Sequence, residues 1–248
     1  MEKTKEQQND IQISASSKLL QRIIFDWMLL IIFLSFAIFT MVELPQFMHR
    51  SLSGLGWRVQ IDGKKYKYLS RLFFYTFFTI GFLVYQVRLL TKQSSRKHHT
   101  INWVMWVGSL FLLVGTCIPV STDREAIKDI LHSRFCQAGT LIMAISIALM
   151  VVAYCRETKT TINTKAMIVV PCLIVLALGV LGLCYTGDPG AIVTAPFTFM
   201  STFMVMVYTH FLTVSYELAP QKDTVKPIKD LFKRRQNDGQ QNQSTAGK

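Results

Sequence analysis

Charge is what this chain has least of. Asp, Glu, Lys and Arg make up 17% of its 248 residues, against about 25% in soluble domains. So little charge cannot cover a water-facing surface of this size, which argues against an ordinary soluble enzyme. The five cysteines contain no CxxC pair and all fall in or at the ends of apolar runs. They read as small buried apolar residues and not as metal or redox centres, with a Cys117–Cys136 disulfide left open. No proline falls in the interior of the first three apolar runs, whereas Pro171 and Pro196 lie near the N-terminal ends of the last two and imply mild kinks. Inverted repeats would show matching interruptions in both halves, so a small-solute transporter is an alternative reading only.

What the chain has instead is six apolar runs, at 23–42, 72–90, 103–120, 135–155, 166–185 and 191–218. Each approaches the roughly 20 residues a helix needs to cross a bilayer. They predict an all-α membrane protein, a six-transmembrane-helix bundle over 23–218, between an N-terminal segment (1–22) and a basic, partly disordered tail (219–248). The first run is expected to stay as an anchor. Glu2, Glu6 and Asp10 interrupt the basic segment before it, and it is longer than the about 7–15 apolar residues of a cleaved signal.

Basic residues orient the bundle, because short loops rich in Lys and Arg stay in the cytoplasm. The N-terminal segment, the second and fourth loops and the C-terminal tail carry eighteen of them, and the alternate loops nine. Both termini are therefore expected in the cytoplasm of a multi-pass cell-membrane protein. The first loop opposes this with six basic residues of its own. Within it, 57–61 and 64–68 flank Asp62-Gly63, a dipeptide suited to a type I′ turn, which predicts a small extracytoplasmic β-hairpin. Asp188-Pro189-Gly190 reads as a turn joining the last two helices as an antiparallel pair.

Helices in lipid approach one another through small residues. Cys136, Thr140, Ala144 and Ala148 recur at every fourth position and form the expected contact ridge of the fourth helix. Gly108 and Gly115, and Gly179 and Gly182, offer lesser contacts. The clustered aromatic residues Phe73, Phe74, Tyr75, Phe77 and Phe78 read as lipid-facing or core.

Ionisable groups inside a membrane are functional candidates by default. Asp26 is expected to be an interfacial carboxylate, paired with Arg22 one turn earlier or favoured by the helix N-terminus, and His210 to be hydrogen-bonded inside the bundle rather than a proton relay. In the third loop, Thr122-Asp123-Arg124-Glu125 matches a capping box. A helix starting there puts Glu125, Asp129 and His132 on one face, where two carboxylates and an imidazole suit metal binding or acid–base work. We expect instead an interfacial amphipathic helix with that face in water, so no catalytic residue, metal or cofactor is assigned. In the tail, Lys226, Lys229, Lys233, Arg234 and Arg235 are expected to contact anionic lipid headgroups, either on a short helix starting at Pro227 or as a topogenic cluster. The net charge of +12 sits beside membrane spans, so lipid and not nucleic acid is the expected partner.

Three motifs carry a family resemblance: Ser51-Leu52-Ser53-Gly54-Leu55-Gly56-Trp57, the stretch 115–119, and His132. With them the chain, over about 44–218, resembles a bacterial family of six-helix membrane proteins called domain of unknown function 998, distantly related to the DRAM and Sfk-type proteins. The resemblance implies a six-helix bundle and transfers no catalytic residues. The function expected is a non-catalytic role in membrane, envelope or lipid-related physiology. A lipid-headgroup hydrolase with an outer-face site is the main alternative.

Overall fold

The computed structural model describes residues 2–43, 50–57, 65–94, 98–120, 127–159, 163–186 and 194–220. They form seven helices: α1 (Glu2–Glu43), α2 (Leu52–Trp57), α3 (Lys65–Gln93), α4 (His99–Cys117), α5 (Ile127–Glu157), α6 (Thr164–Thr186) and α7 (Ala195–Leu218). No strand occurs among the described residues. Five stretches are long and apolar enough to cross a membrane: Ser16–Glu43, Lys67–Gln93, His99–Cys117, Ile127–Glu157 and Ala195–Leu218. The remaining expected run is covered by α6, one continuous helix of 23 residues with Pro171 inside it. Large apolar side chains point outward along the bundle, among them Ile31, Phe77, Leu110, Leu141 and Leu176, each more than half exposed. An apolar exterior of this kind belongs in lipid.

The hairpin expected in the first loop is not what the described residues form. Trp57 closes α2, and Lys65 to Tyr68 are the first turn of α3. Residues 58–64, including the Asp62-Gly63 turn, lie outside the described residues. Alternation over a few residues is compatible with a helix end as well as with a strand, and the long apolar run after Tyr68 extends its helix backwards through them. The Asp188-Pro189-Gly190 turn also lies outside the described residues. Still, α6 and α7 pack together, with the Tyr208 hydroxyl donating to the Met167 carbonyl at 2.5 Å.

The tightest packing joins α4 to α5. A Cβ at Gly139 would lie 2.5 Å from the Leu112 backbone nitrogen and 2.9 Å from the Gly108 carbonyl oxygen, so the two backbones touch there. A Cβ at Gly108 would meet Met143, and one at Gly115 would meet Cys136 at 2.7 Å from Sγ. These glycines are main contacts and not lesser ones, because with lipid outside there is no hydrophobic drive to hold helices together and close approach supplies the attraction. The expected ridge holds at Cys136, which packs on Gly115, and is corrected by one position beyond it. Thr140 and Ala144 are exposed, and the inward face of α5 runs through His132, Gly139, Met143, Ser146 and Met150. Both faces obey helical spacing; the glycines of α4 select between them.

The other half of the bundle packs α7 against α1, α3 and α6. Its centre is aromatic: the Phe33 ring lies 5.7 Å from those of Tyr75 and Phe78 and 5.8 Å from Phe199. Of the aromatic run, Tyr75 is buried while Phe74 and Phe77 face outward. Cys117, Cys136, Cys155 and Cys172 are free thiols.

Candidate functional site

Antiparallel threading brings polar residues together at both ends of the bundle. At the end where α1 enters and α7 leaves, Arg22 pairs with Glu217, which also accepts from Gln93 Nε2 at 2.9 Å. Beside it Glu157, at the last residue of α5, is a hub. It accepts from Ser94 Oγ at 2.8 Å and from the Tyr216 hydroxyl, and lies 2.7 Å from His98 Nε2. The Lys159 amide donates to the Pro220 carbonyl at 2.8 Å, tying the ends of α5 and α7. At the opposite end Glu43 holds both Lys67 and Arg71, and the Arg71 guanidinium lies over the rings of Phe39 and Tyr68 at 5.3 and 5.8 Å.

One to two turns inward from the Arg22–Glu217 end lies a fully buried polar group drawn from three helices. His210 Nδ1 is 2.8 Å from Asp26 Oδ2, and Gln86 Nε2 donates to the same oxygen at 3.0 Å. Thr213 Oγ1 donates to Gln86 Oε1 at 2.7 Å. A carboxylate oxygen only accepts, so Nδ1 of His210 carries the hydrogen of that bond. Asp26, Gln86, His210 and Thr213 are each no more than 1% exposed. Trp27 stands edge-on to the His210 ring with centroids 5.8 Å apart. The expected Asp26–Arg22 pair is therefore corrected: Arg22 goes to Glu217 and Asp26 to His210. A single turn of α1 offers Asp26 a local partner, but burial against α7 brings an imidazole that can bond it without solvent.

At the far end, the residues singled out in the third loop part company. Glu125 lies outside the described residues. Asp129 and His132 are buried, 8% and 7% exposed, while Ile127, Ile130 and Leu131 are the exposed side chains. The interfacial helix expected there is instead the first turns of α5, which runs unbroken to Glu157, and its polar face turns into the bundle rather than to water. The reason is a partner invisible in local spacing. His132 Nε2 lies 2.8 Å from Ser53 Oγ, and Nδ1 lies 3.1 Å from the Ile118 carbonyl. The carbonyl must accept, so in the neutral ring Nδ1 bears the proton and Nε2 accepts from the serine. The imidazole thus clips α2 and the end of α4 to α5. Trp57 Nε1 donates to the Thr116 carbonyl at 3.1 Å beside it. Ser53, Trp57, Ile118 and His132, all within the motifs of the family resemblance, converge on this one place.

Sequence reading named Asp26 and His210 separately and overlooked Gln86. The available signal was depth: once the runs are threaded antiparallel, Asp26 and Gln86 each fall about one turn inside the same end. Lys226, Lys229, Lys233, Arg234 and Arg235 lie outside the described residues. No protein-family model, no curated protein and no solved structure matches the chain.

Proposed function

We propose that this protein is a six-span cell-membrane protein with both termini in the cytoplasm, with a non-catalytic role in membrane, envelope or lipid-related physiology. The observation that supports the reading is the bundle itself: five apolar spans with an apolar exterior, closed at each end by ion pairs. In this reading α6 is the sixth span and the basic tail lies on anionic lipid. The resemblance to domain of unknown function 998 belongs to the same proposal, supported by the meeting of its motif residues around His132. Labelling tests the threading. An impermeant thiol reagent applied outside intact cells should modify Gly63→Cys and Gly187→Cys above the parent protein and spare Ser95→Cys. Modification of Ser95→Cys alone inverts the topology. The tail is tested by vesicle binding of a peptide covering 222–235, whose six basic residues should each add about 1 kcal/mol on an anionic surface. Equal binding to neutral vesicles removes it.

The Ser53–His132 geometry favours a second reading, an outer-face hydrolase of lipid headgroups. A serine hydroxyl bonded to an imidazole whose other nitrogen is anchored is the arrangement of an activated nucleophile. Ser53 is partly exposed. A serine-reactive fluorophosphonate decides between the two: covalent labelling lost in Ser53→Ala supports the hydrolase, and no labelling supports the structural clip.

A further inference from the structure

A carboxylate and an imidazole buried inside a bundle are costly to keep unless they serve something. Asp26 and His210 have nothing to do with either end's clamp. Their surroundings are restrictive on every side. From α1 comes Arg22, already matched by Glu217. From α3 come Gln86, in the network, and Tyr85, whose phenol interacts with the Asp26 carboxyl both electrostatically and as a hydrogen-bonding neighbour; Arg88 and Lys92 are exposed. From α5 comes Glu157, held by Ser94, His98 and Tyr216. The ionisable side chains of the described part of α6, Lys165 and Cys172, are exposed. With His210 neutral the pair therefore carries one uncompensated negative charge in a region with almost no solvent. One added proton removes it.

We propose that Asp26 and His210 form a membrane-embedded proton-binding site, loaded from the end of the bundle that carries Arg22, Gln93 and Glu217. A hydronium ion gives its proton to Nε2 of the neutral His210, leaving water. The ring becomes an imidazolium still bonded through Nδ1–H to the Asp26 carboxylate, and the pair's charge goes from minus one to zero. Buried polar atoms without hydrogen-bond partners occur on that side of the pair and at it: Gln93 Oε1, Arg22 Nε and Nη2, and Asp26 Oδ1. Such atoms call for ordered water, which relays protons. Toward the other end the path meets Leu30, Phe33, Tyr75 and Phe199, all buried and packed ring on ring. Two further unpartnered buried atoms, Thr79 Oγ1 and Arg71 Nη1, lie toward that other end, so it is the aromatic layer that favours loading from the Arg22 side.

Trp27 supplies the readout, because an imidazolium beside an indole quenches its emission more than a neutral imidazole. The full chain in lipid nanodiscs should show a fall in emission as pH drops from 9 to 5, and this component should vanish in Trp27→Phe and in His210→Gln. The glutamine can still donate to Asp26, so the bundle is kept, as circular dichroism should verify. Asp26→Asn should displace the midpoint. No pH-dependent component from Trp27, one that survives His210→Gln, or a midpoint unmoved by Asp26→Asn each overturns the site. Incorporation into nanodiscs tests the membrane-spanning reading separately from the titration. For sidedness, vesicles sorted into one orientation by a C-terminal tag receive a pH jump. A jump on the tag side should quench at once, and one on the opposite side only as the vesicle leaks. A faster response from the opposite side overturns the access route.

Discussion

The α4–α5 pair and the α1–α3–α7 group hold the same kind of membrane bundle together by opposite means. The first has almost nothing between its helices: at Gly139 the main chains of α4 and α5 are in contact. The second is filled with polar and aromatic side chains that bond one another across sequence separations of up to 195 residues. Close backbone contact leaves no room for chemistry but tolerates no added atom. Polar packing costs desolvation and in return creates a site. The contact between α4 and α5 is thus made by backbone, whereas the α1–α3–α7 group encloses the carboxylate and imidazole of Asp26 and His210.

The sharpest way to break this contrast is to orphan one member of the buried pair. His210→Leu leaves the Asp26 carboxylate without its imidazole, and unfolding in mixed micelles should show a loss of about 3–5 kcal/mol. His210→Gln should recover much of it. A loss near zero for the leucine variant would mean that the Asp26–His210 bond does not help to hold the polar half together.

Overpacking comes next. Gly139→Val puts three carbons where backbone stands at 2.5 Å, and the α4–α5 contact should lose about 1–3 kcal/mol. The clip at the far end should weigh less. His132→Ala removes two hydrogen bonds from a buried ring and should cost about 1–2 kcal/mol, more than an ordinary surface substitution. A cost under about 0.5 kcal/mol would restore the wet-face reading of that helix. The smallest effect is expected at Thr140→Leu, one residue from Gly139 but on the exposed face, where stability should stay within about 0.5 kcal/mol. Reversal of the order between positions 139 and 140 would put the α5 contact face back on the ridge that spacing alone suggests.

Membrane spans were legible because hydropathy is additive along a chain: five of the six runs reappear as spans with ends shifted by up to eight residues, and the sixth as a helix. Gly108 and Gly115 were legible as contacts for the same local reason. Sequence spacing misplaced the face of α5, because Thr140 and Gly139 both belong to regular helical series and only the opposing helix distinguishes them. It also placed Asp129 and His132 in water. An amphipathic pattern says that a helix has two faces, not which one meets lipid when the bundle interior is the polar side.

By itself the amino-acid sequence determined that the chain is a set of long apolar helices and where its basic segments lie, since length, hydropathy and charge are properties of each segment taken alone. The tertiary structure decided which polar residues pair. Asp26 chose His210 over the nearby Arg22, and His132 chose Ser53 over solvent, because in an interior without water a polar group takes whichever partner the packing of helices brings within about 3 Å.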